Sequence, residues 1–136
     1  MEPAEANAKV EERTRAVVER MYDSYFDGDA DGMVDTMSTD VWVRFLGRVN
    51  FRGKDRARSF FGDNTPNLLD LHFRIRKLIV DGHHAAAVWE ENATTVHGHP
   101  YENHGVDVFA VVGDEITAVH ENNDIRIHRH HFGDGD

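Results

Sequence analysis

Apolar positions early in the chain recur at intervals of three and four: Val10, Val17, Val18, Met21, Tyr22, Tyr25 and Phe26. Over residues 5–26 this spacing predicts an amphipathic helix with one broad buried stripe. The segment DGDADG (27–32) ends it, because glycine and aspartate favour turns and caps over helix interiors. A short second helix follows, with Met33, Val34 and Met37 on one side. The period then shortens to two. VWVRFLGRVNFRG (41–53) reads as a strand over 41–46, a turn at Gly47-Arg48 and a short return strand. KDRARSFFGD (54–63) fits a third short helix with Ala57, Phe60 and Phe61 inward, and NTPN (64–67) a loop. Four strand-like runs, at about 68–80, 84–96, 101–112 and 115–130, are separated by the turns DG, HGHP and VGDE.

Helices first and an antiparallel meander afterwards describe an α+β fold, and 136 residues suit a single domain over 1–136. The third run is apolar on both faces. Asp107, Phe109 and Val111 point one way, and Val106, Val108, Ala110 and Val112 the other. Such a sheet must be covered on both sides. The helices cover one, and a second copy of the chain is the economical cover for the other, which predicts a homodimer through the outer sheet face. The stretch VDVFAVVGDEITAVHENND (106–124) adds a question, because Asp107 and Glu121 interrupt its valines.

Composition narrows the function classes. The formal net charge is −10, which argues against nucleic-acid or anionic-membrane partners, since these need a basic patch. No run reaches transmembrane length, and the polar start MEPAEANAKVEERTR lacks an apolar signal core, so a cytoplasmic address is expected. Cysteine is absent, which excludes disulfide and thiol chemistry.

The segments VVERMYDSYFDGDADGMVDTM, GHPYENHGVDVF and GDEITAVHENND resemble the nuclear transport factor 2-like superfamily. This is the cone-shaped fold of ketosteroid isomerase, limonene epoxide hydrolase, scytalone dehydratase and the SnoaL-like polyketide cyclases. The resemblance runs from about Val17 to Asn123. It implies a curved, largely antiparallel sheet wrapped around the long first helix and two short ones, enclosing a deep apolar pocket. Asp107 falls where ketosteroid isomerase keeps a neutral aspartic acid as oxyanion donor. That enzyme's tyrosine falls on Met21 and its general base on Phe45, so two of its three catalytic groups are missing. The two carboxylates of limonene epoxide hydrolase fall on Glu90 and Glu121, its arginine on Val88, and its water-holding tyrosine and asparagine on Val43 and Phe45.

The resemblance therefore implies a pocket lined by Met21, Tyr25, Val43, Phe45, Val88, Glu90, Asn92, Asp107, Val119, Glu121 and Asn123. Strand alternation keeps 88/90/92 together on one face and 119/121/123 together on one face. Three acids inside an apolar cone cannot all ionise cheaply, so one is held neutral while another stays a base. Asp107 is the expected acid or oxyanion donor, Glu121 the base and Glu90 the partner that tunes it. Asn92 and Asn123 orient a carbonyl or water, and Tyr25 donates from the helix. This implies a cofactor-free isomerase, cyclase or lyase acting on a small apolar, polyketide- or terpenoid-like molecule. A non-catalytic hydrophobic-ligand-binding or association module and an epoxide hydrolase are the rivals, since the same fold hosts all three.

Ten histidines raise the question of a metal. His128 and His130 would share one face of the last strand and His97-Gly98-His99 lies in a turn, but no zinc spacing is present and no metal is expected. Asp27, Asp29, Asp31 and Gly32 resemble a calcium loop, yet Ser38 stands where its closing glutamate belongs. His104 and His120 fall on the outer face, where their protonation would weaken a dimer.

Overall fold

The computed structural model describes residues 2–63 and 68–132; the 64–67 loop expected from the sequence lies outside the described residues. Helix α1 (Pro3–Phe26) buries Thr14, Val17, Val18, Met21 and Tyr22, the stripe its apolar spacing requires. Asp27 closes it, and the Asp29 side chain accepts from the Gly32 N–H at 2.8 Å to open α2 (Ala30–Asp35). Strand β1 (Met37–Phe45) begins directly after α2. Met37 is thus a strand residue and not part of the second helix, and it is fully buried beneath the sheet's helical cover. Strand β2 (Val49–Arg52) and helix α3 (Lys54–Asp63) follow, then β3 (Leu68–Asp81), β4 (His84–Thr95), β5 (Pro100–Val112) and β6 (Glu115–Asn123).

The six described strands form one mixed sheet in the order β2-β1-β6-β5-β4-β3, antiparallel except for the parallel β1–β6 pair, and with the helices the fold is α+β. Register shifts at Leu69/His72, Ile75/Lys77, Ala110/Val111 and Met37/Trp42 bend the strands. The three helices lie on the concave side, where Val17, Val18, Met37, Val41, Val43, Phe109, Val111 and Ile116 form the centre of the core. The Thr14 hydroxyl lies 2.9 Å from the Gly82 carbonyl, and Glu11 accepts from the Gly82 N–H at 3.0 Å. These contacts tie α1 to the β3–β4 turn and hold it across the sheet.

The last expected strand stops early. Residues Ile125–Phe132 form helix α4. The Asp124 side chain accepts from the Arg126 N–H at 3.0 Å, and the Asp124 carbonyl receives the first intrahelical bond from His128. An aspartate in that position is a helix start, and it outweighs the β-propensity of Ile125 and Ile127. His128 and His130 consequently do not share a strand face. No described helix is long and apolar enough to cross a membrane.

Candidate functional site

A cavity of about 1020 Å³ lies between α1, α3, α4 and the concave side of the sheet. Its inner wall is aromatic: Tyr22, Tyr25, Phe45, Phe73, Trp89 and Phe109 all line it. Phe73 is central, stacked on Trp89 at 5.2 Å and met edge-on by Tyr25 at 5.2 Å. His97, His99, His128, His130 and His131 line its more exposed part.

Asp107 sits at the floor, buried to 9% exposure on β5. The Tyr22 hydroxyl donates to its Oδ2 at 2.5 Å, and Trp89 Nε1–H donates to its Oδ1 at 2.9 Å. Both carboxyl oxygens therefore accept. The local sequence makes this possible at Gly105, two residues earlier on β5. A Cβ there would collide with the Asn122 carbonyl and lie 2.6 Å from the Trp89 ring. Glycine lets the indole cross β5 and reach Asp107.

Glu121 is the cross-strand partner of Asp107 in the β5–β6 ladder, and Asn123 Nδ2 donates to its Oε1 at 2.8 Å. Glu91, on β4, completes the acidic lining. Burial raises all three carboxyl pKa values. Glu91 rises to about 7 through burial and then the charge of Asp107. Glu121 rises through burial and next through Asp107, with Asn123 opposing. Asp107 rises through burial, opposed by the hydrogen bonds from Tyr22 and Trp89. Tyr22 is pushed far up, first by burial and then by the charge of Asp107, so its hydroxyl is a donor and not a base. Tyr25 also rises, through burial and then Glu91.

The expected lining residues divide. Met21, Tyr25, Phe45, Asp107, Val119, Glu121 and Asn123 line the cavity. Val43 is wholly buried in the core beside it. Val88, Glu90 and Asn92 do not line it. On β4 the inward set is Ala85, Ala87, Trp89 and Glu91, because Asp107 faces Ala87 across the β4–β5 ladder. Glu90 points to the other face, where Arg74 and Arg76 (Nη1 at 2.9 Å) donate to its two oxygens. Those hydrogen bonds, Arg76 first, lower its pKa. With Asn92 it lines a second depression beside β3, which adjoins the cavity through Tyr25, Met33, Phe61, Leu71 and Phe73. The correction has one cause: strand side chains alternate with period two, so alignment one residue out reverses every side chain. The same one-residue step on α1 replaces Met21 by Tyr22 as the partner of Asp107.

Tyr22, Trp89 and Glu91 are thus site residues that sequence reasoning missed. The one available signal was Gly105, a glycine inside a strand and a mark of close approach by another group. No group of three or more His, Asp or Glu among the described residues could hold a metal.

No curated protein matches the chain in sequence. Solved structures match it in fold at low identity. A protein assigned as a SnoaL-like polyketide cyclase from Jannaschia sp. CCS1 superposes with a TM-score of 0.80 at 15% identity, over 91% of this chain and 94% of that one. A protein assigned as a polyketide cyclase from Xanthomonas campestris pv. campestris gives 0.75 at 18%, over 89% and 97%. An LEH-like epoxide hydrolase from M. tuberculosis gives 0.71 at 16%, over 84% of each. The sheet packed against α1, the cavity between them and the match of the SnoaL-like domain model to residues 18–119 lead to one assignment: the chain belongs to the SnoaL-like domain family.

Proposed function

We propose that the cavity is the active site of a cofactor-free acid–base catalyst, an isomerase, cyclase or lyase, acting on a small apolar, polyketide- or terpenoid-like molecule. The observation that carries this reading is the convergence of Glu91, Asp107 and Glu121 in one aromatic-lined cavity, with hydrogen-bond donors distributed unequally among them. Asp107 has two donors, one on each oxygen, and is the best stabilised as an anion. Glu121, facing it across the ladder with one amide donor, holds the proton. This division supports Asp107 as the base and Glu121 as the acid, the reverse of the roles drawn from the resemblance. Glu91, raised to about 7 by burial and then by the charge of Asp107, lines the same cavity as a second titratable acid. Tyr22 and Trp89 position the Asp107 carboxylate. Phe73 and Tyr25 offer ring faces to a flat, apolar substrate.

The epoxide-opening alternative relied on Glu90, which lies on the other face; a version built on Glu91 and Glu121 would still need a held water. The ligand-binding alternative is separated from catalysis by experiment. Carboxyl-detected NMR titration is expected to give a midpoint near 7 for Glu91 and raised midpoints for Asp107 and Glu121. The apolar carbon acid 5-nitrobenzisoxazole is expected to be deprotonated well above the buffer rate. Midpoints near 4 for all three groups together with no rate enhancement would leave a binding module.

Val106, Val108 and Ala110, with Ala118 of β6, give the outer face an apolar strip. This supports the homodimer, for which Val108→Arg is expected to yield monomers by sedimentation velocity. His120 sits beside that strip, edge-on to Trp42 at 4.7 Å.

A further inference from the structure

Arg48 is the only arginine or lysine among the described residues lining the cavity. It stands in the β1–β2 turn, and α4 rests on that turn so closely that a Cβ at Gly47 would lie 2.5 Å from Ile125 Cδ1. The guanidinium is steered over the Phe45 ring, its centre 5.8 Å from the ring centroid. Its Nε is shielded from solvent and has no hydrogen-bond partner among the described residues. Among the described residues no ion pair includes it either, although Glu121 lines the same cavity and feels its charge. Glu121 cannot easily serve as its counter-ion, because burial and the neighbouring Asp107 favour the neutral acid there and Asn123 already holds one of its oxygens.

A guanidinium held beside an aromatic ring at the cavity wall, with no carboxylate paired to it among the described residues, is a receptor for a planar oxyanion. We propose that Arg48 receives the carboxylate of the ligand, so that the cavity takes an apolar, ring-bearing molecule with one acidic head group. The apolar body lies against Phe73 and Tyr25, and the head group lies under α4. The inference rests on the proposed apolar-ligand site and adds the charge of the substrate to it. An anionic head fixed by Arg48 leaves the opposite end of the molecule to the carboxyl groups, in keeping with an orientation set by one charged contact.

The experiment uses two isosteric probes, 2-naphthoate and 2-naphthamide, titrated calorimetrically into the full-length protein and into Arg48→Gln and Arg48→Lys. The wild type is expected to prefer the carboxylate by roughly tenfold or more, the range of a charge-assisted hydrogen bond. Arg48→Gln should erase that preference by weakening naphthoate alone, leaving naphthamide within about twofold, and Arg48→Lys should keep part of it. An unchanged thermal midpoint shows that the fold is intact. Equal binding of the two probes by the wild type, or an equal loss of both in Arg48→Gln, overturns the anchor while the apolar site stands. Failure of both probes to bind overturns the anchor and the apolar site together.

Discussion

Glu90 and Glu91 are neighbours of the same residue type on the same strand, and the fold gives them opposite chemistry. Glu90 faces outward between Arg74 and Arg76 and its pKa is lowered; Glu91 faces the cavity and its pKa is raised to about 7. The side of the sheet, and not the residue, decides the acid. Water and paired arginines surround one carboxylate, while aromatic rings and the charge of Asp107 surround the other. A sheet with one closed side can therefore keep ordinary surface charges and unusual acids a single residue apart.

The largest test of that contrast is kinetic. Asp107→Asn is expected to lower deprotonation of 5-nitrobenzisoxazole by about 100-fold or more, the usual contribution of a positioned base, while Glu90→Gln leaves the rate unchanged. Equal rates in the two variants would erase the distinction between the faces.

The second test reads stability against pH. A carboxyl whose folded pKa exceeds its unfolded value contributes stability that is full below the unfolded value and is lost as pH rises through the folded one. For Glu91 the window runs from its ordinary 4.5 to about 7. Wild type is therefore expected to lose stability relative to Glu91→Gln across this window, by on the order of 3 kcal/mol, in urea unfolding at each pH. Parallel profiles would mean that Glu91 is solvated.

A smaller effect belongs to Gly105. Gly105→Ala is expected to cost about 1–3 kcal/mol by overpacking, and to change near-ultraviolet circular dichroism as the Trp89 indole shifts. Glu90→Gln closes the series at the small end. Its ion pairs are exposed, and its denaturation midpoint is expected to match that of the wild type.

Most of the architecture was legible in the chain. The three- and four-residue spacing from Val10 to Phe26 marks α1 because a helix buries one stripe. The alternation around Phe109 and Val111 marks a strand because a sheet separates odd from even positions. The parts that were not legible share a physical origin. Ala85, Ala87, Trp89 and Glu91 hold three apolar residues against two in Ala86, Val88, Glu90 and Asn92, a margin of one residue that an alignment one position out overrides. Met37 and residues 125–130 differ from the sequence reading because Met37 stands at the boundary of two short elements and Ile125 and Ile127 alternate as in a strand; packing under the sheet and the Asp124 cap respectively decided them.

The sequence by itself displayed Asp107 and Glu121 among valines and determined the order of elements as far as β6 and their periodicity, since order and periodicity follow from interactions between near neighbours in the chain. Only the tertiary structure decided which acids meet, because strand register and helix rotation are set by contacts between residues far apart in sequence. Tyr22 and Asp107 lie 85 positions apart and are joined by one hydrogen bond. A shift of one residue in either partner would have sent that bond, and with it the site, to another side chain.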